Sequence, residues 1–531
     1  MSVVEIVTTG MVLRGKAEGS RATTLRVVAK AERRRAPPGK APCSRQGEIC
    51  AMDDTLLEEI TQYGNKSFVR AAVGTQFDYE KSYADILRAD EGPKTEHQHL
   101  LQTGEHTPWA KALPYEVYYD PKFVPMEIEK IWKKTWQVAC RGEDIPEVGD
   151  RIAYDVGPLS FLIVRSAPDE FKAFYNSCRH RGRRLCNEHK DSGDIIQCPF
   201  HAWAFGLDGK LMWVPREEEF PGVTERNFSL REVQCDTWGG NVFINPDPDA
   251  PALQEVLGPL VDHFKDCPQE DRYTAVRIRK KVRINWKSGL EAFLEGYHVL
   301  TTHPSGMPMF GSAYTQIDCW DDGVSHVSRL ITPAVTADAW VKDKVTPAVG
   351  LQLFCNAYGY KMPPEDRGQT AADARAFAAE ATAEYINDTT GIDFSDRSIA
   401  YLIDMVQWFS FPNFFPWWGE GLAWWYNFKP IGDDPNVCEM EIRLTLPVPK
   451  NGPRPASSPP VDIDFDDTGK NHPETGAVGY IMDEDMENME EVHKGMRAAR
   501  DDSARPILSK IQEARIRHFH ETYSKVMGLD I

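Results

Sequence analysis

The chain of 531 residues has no run of eighteen apolar residues, so no membrane-spanning helix is expected. Basic residues are in deficit. There are 61 Lys and Arg against 80 Asp and Glu, a formal charge of −19, and such a surface repels nucleic-acid phosphates. There is no G-x-G-x-x-G sequence, so neither NAD nor flavin is expected to be built in. No C-x4-C-x2-C run points to a second, all-cysteine cluster. The eleven cysteines are scattered and odd in number, which suits a reducing, cytoplasmic compartment better than a disulfide framework. There is no internal repeat. With 41% apolar residues at this length, two or three domains are expected.

Charge is unevenly placed. Residues 1–51 hold ten basic side chains against four acidic ones, leaving 51 against 76, or −25, for the rest. This stretch lacks apolar periodicity and reads as a disordered, dispensable or mis-started extension. It has no apolar core of a secretory signal.

What is present is concentrated in two short stretches. Cys178-Arg-His180 is followed, after seventeen residues, by Cys198-Pro-Phe-His201. Two thiolates and two imidazoles in C-x-H and C-x2-H loops are what a [2Fe-2S] cluster of Rieske type needs, both cysteines on one iron and both histidines on the other. Cys2His2 is also a zinc set, but zinc fingers pair like with like, whereas here each loop gives one Cys and one His. Short strands broken by Gly and Pro surround the loops from Ala139 to Cys235, such as Ser160-Phe-Leu-Ile-Val-Arg165. Residues 236–531 mix helices and strands. They include an alanine-rich helix near Thr370–Ile386, an aromatic strand region over 408–428, and a Pro-, Ser- and Asp-rich loop over 453–472. Upstream, Met126, Ile128, Ile131, Trp132 and Trp136 have helical spacing.

The segments Asn176-Ser-Cys-Arg-His-Arg-Gly182, Cys198-Pro-Phe-His-Ala-Trp203 and Gly206-Leu-Asp-Gly209 resemble the Rieske domain of ring-hydroxylating oxygenases, in their large (alpha) subunits. That family usually has Tyr where Phe200 stands and Gly where Ala202 stands. The extra disulfide of respiratory-type Rieske proteins is missing, so Cys186 reads as a buried free thiol. The resemblance, over about residues 113–500, implies an α+β chain: a small all-β Rieske domain and an α+β helix-grip catalytic domain. The divisions expected are a disordered extension over 1–51, a helical or irregular segment over 52–112, a helix over 113–138 associated with the catalytic domain, the Rieske domain over 139–235 and the catalytic domain over 236–531.

The second constellation is Asn285-Trp-Lys287 with Glu291, Glu295, His298 and His303-Pro304. Two histidines five apart are weak evidence alone. In the family this run supplies two histidine ligands to a mononuclear Fe(II), which makes His298 and His303 the candidates. On a regular helix these positions lie roughly 140° apart, so the helix should break between Gly296 and Thr302. The 2-His-1-carboxylate triad needs an acid. Asp485-Met-Glu-Asn488 resembles the family's D-x-x-N segment, giving Asp485, with Asp483 and then Glu484 as fallbacks. By the same resemblance Glu295 should join His201 of one subunit to His298 of its neighbour in a head-to-tail trimer.

The implied activity is that of a terminal oxygenase fed by a separate reductase, with or without a ferredoxin. It would dihydroxylate an aromatic or polycyclic apolar substrate, as in aromatic hydrocarbon catabolism. Alternatives are monooxygenation, including O- or N-demethylation, and a non-enzymatic electron carrier. The expected assembly is a homotrimer, or an alpha-beta hexamer with a small subunit. No charged clamp for a substrate can be placed from sequence. His97-Gln-His99, His518-Phe-His520 and Arg179 read as solvated.

Overall fold

The computed structural model describes residues 82–90, 98–104, 112–187, 191–499 and 504–530. The 1–51 extension and His97 lie outside the described residues, as does most of 52–112.

The α+β class is the one found. A six-stranded antiparallel sheet orders its strands as Gln137–Arg141, Asn241–Asn245, Glu232–Trp238, Glu170–Tyr175, Leu159–Ala167 and Arg151–Val156. The sheet therefore continues past residue 235, because 241–245 closes it against 137–141. Beside it a three-stranded sheet, Ile196–Gln197, Ala204–Phe205 and Leu211–Trp213, carries the second Cys/His stretch. Leu162, Val164, Phe174 and Phe205 form a small core under both stretches. Gly209 must be glycine: at φ +80° it closes the turn onto Gly206, and a Cβ there would enter the Phe174 ring.

The second sheet has eight strands, in the order Gln316–Asp321, His326–Thr332, Met405–Ser410, Phe415–Trp418, Trp424–Pro430, Cys438–Pro447, Arg272–Val282 and Val461–Ile463. All pairs are antiparallel except the last. That last strand corrects the reading of 453–472 as loop throughout; three residues pair in register with Ile278–Lys280. Alternation along the aromatic strands splits them between two layers. Trp408 and Trp418 pack with the alanine-rich helix Ala371–Thr390, whereas Phe409, Phe415, Trp417, Tyr426 and Phe428 face the helices that carry the candidate ligands.

Those helices are short where chemistry is expected. Asn285 caps the helix Trp286–Glu291 by accepting from Lys287 N–H. The chain then breaks through 292–298 and resumes as Val299–Thr302 before His303, which is the break that the angular argument requires. A six-residue helix cannot hold itself. Buried polar bonds anchor it instead: Trp286 Nε1 and Lys287 Nζ both donate to Glu127, and Tyr523 OH donates to the same carboxylate at 2.6 Å. Removing one partner of such a buried pair costs about 3–5 kcal/mol. Glu291 in turn accepts from Tyr118 OH at 2.7 Å and lies 3.0 Å from His520 Nε2. His518 and His520 are thus buried, not solvated, because the helix Ala514–Met527 turns them into the core. His99 is also packed, its ring edge-on to His263 and Trp418.

Candidate metal centres

The first centre is built from two turns of one design. The Cys178 carbonyl accepts from Gly182 N–H and the Cys198 carbonyl from Ala202 N–H, both at 2.9 Å. Each turn closes through a left-handed residue, Gly182 at φ +77° and Ala202 at φ +59°. The conformation explains why glycine suits position 202. An L-residue there costs about 1–2 kcal/mol, partly offset by glycine's greater entropy when unfolded. Ala202→Gly is therefore expected to raise stability by roughly 0.5–1 kcal/mol, read from denaturant midpoints, with the cluster spectrum unchanged.

The donors converge. His180 Nδ1 and His201 Nδ1 lie 3.2 Å apart, and Cys178 is hydrogen-bonded with Cys198. Burial pushes the Cys178 thiol up to about 11, against the pull of N–H bonds from His180 and Arg181, so a bound metal is what would make Cys178 a thiolate at neutral pH. Burial and the neighbouring His201 and Arg181 hold the His180 imidazole neutral. Two thiols and two imidazole nitrogens facing one another fit a [2Fe-2S] cluster. Aromatic neighbours fix the rings. Trp203 stacks on His180 at 5.0 Å with planes 4° apart, and Phe200, 55% exposed, packs on His201 at 3.7 Å. Arg179 is not free in solvent; it donates to the Asn227 carbonyl and lies over Phe228. Cys186 is buried and outside any disulfide.

At the second centre His298, His303 and Asp485 bring one ligand atom each to within 4.8 Å of one another. His303 Nε2 is 2.8 Å and His298 Nε2 3.5 Å from Asp485 Oδ1. Asp485 projects from the helix Gly476–Ala498, buried on its inner face, and Asn488 of the same helix donates to Thr302 Oγ1 at 3.1 Å, tying the two ligand-bearing segments together. Asp483 is excluded as a ligand: its carboxylate accepts from Gly469 and Lys470 N–H at 2.7 and 3.0 Å. Glu484 is no ligand either. It holds His303 Nδ1 at 2.8 Å, as Glu295 holds His298 Nδ1 at 2.6 Å. Each ring thus keeps Nε2 for a cation while a carboxylate fixes its tautomer and raises its basicity. Burial opposes protonation of both rings, but the carboxylates outweigh it, raising His298 and taking His303 up to about 9. Two imidazoles and one carboxylate are the donor set that fits a mononuclear Fe(II). The extra methylene of Glu295 is taken up by curling back, so that its second oxygen accepts from the Tyr297 and His298 N–H groups.

Residues 269–529 match the family model for the ring hydroxylating alpha subunit (catalytic domain), and residues 135–231 match the Rieske [2Fe-2S] domain. The chain belongs to the large subunits of the Rieske non-heme iron ring-hydroxylating oxygenases. Rieske oxygenases carry both a [2Fe-2S] cluster and a mononuclear iron, which removes zinc as the reading of the Cys/His loops. Among relatives of this Rieske oxygenase, a glycine betaine monooxygenase oxygenase subunit from Pseudomonas aeruginosa is 31% identical over 249 residues, 46% of this chain and 56% of that protein. A biphenyl 2,3-dioxygenase alpha subunit from Rhodococcus jostii is 33% identical over 198 residues, 36% and 43% of the two chains. The chain spans about half the length of the curated relatives it matches. A solved quaternary ammonium Rieske monooxygenase superposes with a TM-score of 0.56 at 18% identity, covering 80% of this chain and 99% of that one, a likeness of fold. No helix among the described residues is long and apolar enough to cross a membrane.

Proposed function

We propose that this chain is the terminal component of a cytoplasmic oxygenase system, reduced by a separate NAD(P)H-dependent reductase and inserting oxygen from O2 into an organic substrate. When bound, the cluster supplies single electrons and the Fe(II) activates O2. Cys178, Cys198, His180 and His201 hold the cluster, and His298, His303 and Asp485 hold the Fe(II). The observation that carries the reading is the convergence of those last three side chains within 4.8 Å. Glu295 and Glu484 fix the tautomers of the two iron-binding rings. Glu295 also keeps lone pairs for a further N–H, and it meets His201 of a second copy in a homotrimer.

Between the chemistries, the reading best supported is monooxygenation, including N-demethylation, because relatives acting on glycine betaine and carnitine stand beside the aromatic dioxygenases. Dihydroxylation of an aromatic ring is the second reading, supported by the apolar wall that Phe293, Phe415 and Tyr426 make beside the ligand segment. Iron assay and product mass test both. Supplied with reductase, NADH and substrate, the purified protein should hold about three irons per chain and consume O2 in step with product. A gain of one oxygen or a lost methyl supports the first reading and a gain of two the second. About two irons and no substrate-dependent O2 uptake leaves only an electron carrier.

A further inference from the structure

Four aromatic side chains among the described residues stand in solvent: Phe200, Trp213, Tyr297 and Tyr480. Two of them directly precede a histidine of a metal centre. Phe200, 55% exposed, stacks on His201 with ring centres 3.7 Å apart, and Arg181, itself exposed, lies over the same Phe200 ring at 5.4 Å. Tyr297, 59% exposed, stands beside Glu295: its N–H donates to the carboxylate that also holds His298 Nδ1. Exposed aromatics so placed mark a contact surface. Charge divides in the same way. Between Cys178 and Leu185 lie four arginines and no acid, and Arg181 has no ion pair among the described residues. On the iron side the helix Gly476–Ala498 presents Glu487 and Glu491 to solvent, with Glu484 half-exposed beside His303.

The two surfaces belong to different domains, so pairing one with the other between copies is head-to-tail and can close into a ring. When Glu295 of one copy meets His201 of the next, the ring stacked on His201 and the residue bonded to Glu295 come side by side. We propose that Phe200 of one copy packs on Tyr297 of the next, with Arg181 facing Glu484 and Glu487 of that copy, and that this aromatic contact seats the cluster on its acceptor site. The inference rests on the homotrimer reading above and names the residues that hold it together. A second copy is the occupant because a chain of net charge −19 repels its own kind over most of its surface, whereas the arginine loop and the acidic helix bring opposite signs together. Phe200 and Tyr297 are positioning residues, since neither offers a metal ligand. Their rings keep water from the His201–Glu295–His298 path, where carboxylate–imidazole bonds are stronger when dry.

The test is a double-mutant cycle on the fully iron-loaded protein. Assembly is followed by mass photometry over a dilution series, and electron delivery by the iron-dependent part of cluster reoxidation by O2, taken as the difference from protein lacking the mononuclear iron. Phe200→Ala and Tyr297→Ala should each raise the dissociation constant by about 10–100-fold. The double variant should be weaker than either single one by far less than the product of the two effects, and Tyr297→Phe should assemble as the wild type does. Arg181→Gln should flatten the salt dependence of assembly. In the alanine variants reoxidation should fall on dilution and return when the protein is concentrated, a rescue that a damaged metal site does not show. Wild-type assembly in either alanine variant, or fully additive effects in the double variant, overturns the aromatic contact. A wild type that stays monomeric at every concentration, yet reoxidises its cluster through the iron, overturns the contact and the homotrimer but not the oxygenase reading. A trimer that obeys the cycle with no iron-dependent reoxidation upholds the contact and sinks the oxygenase reading.

Discussion

Asp485→Ala should strip the mononuclear iron, taking the protein from about three irons per chain to about two, and abolish product formation while the visible spectrum of the cluster survives. The expectation follows from the short contacts of Asp485 with both histidine Nε2 atoms. Its neighbour two places back supplies the control. Asp483 is buried, but its oxygens cap the Gly469 and Lys470 N–H groups, so Asp483→Asn should cost about 1–2 kcal/mol of stability and retain all of its iron. Iron analysis and denaturant melts on the two variants read this directly. Retained turnover in Asp485→Ala, or loss of one iron in Asp483→Asn, reverses the assignment.

Glu295→Gln is expected to keep both metal centres and to slow turnover by about 10–100-fold. Glu295 now accepts on two sides, from the imidazole Nδ1 of His298 and from two backbone N–H groups. An amide cannot do both. Whichever way it turns, either the ring faces an NH2 group or the backbone turn loses its acceptor. The distinguishing measurement is stopped-flow reoxidation of the reduced cluster in the presence of O2 and substrate, where the variant should lag with a normal iron content. Cluster reoxidation at the wild-type rate refutes the role.

The side chains that converge could be read from the chain, as could the contact of Glu295 with His298, but the other supports of the rings could not. The C-x-H and C-x2-H loops carry their chemistry in residue type and spacing, and a one-place shift would have broken the pattern. Likewise, the break near Gly296 follows from the angle between positions 298 and 303, which no regular helix can satisfy. Among the six acids from Asp483 to Glu491, Asp485 was singled out only by the D-x-x-N resemblance. Which of these faces inward depends on helix phase against His303, 182 positions earlier in the chain. The role of Glu484 had no sequence signal: it adjoins Asp485, yet reaches the far nitrogen of the same ring. Histidines 518 and 520 misled for a related reason. Set among Arg515, Arg517 and Lys525 they look solvated, but tertiary packing turns this face of the helix inward, burying Arg515 and Arg517 as well.

Glu127 has a wider consequence. A single carboxylate receives the indole of Trp286, the ammonium of Lys287 and the phenol of Tyr523, so the ligand-bearing helix is fastened to segments 159 residues before it and about 240 after it in the chain. Local sequence cannot pre-assemble the iron site. Its rigidity is borrowed from segments far off in the chain, whose long loops must close before the contacts form. Iron occupancy and docking of the final helix are therefore two sides of one equilibrium, each strengthening the other by mass action.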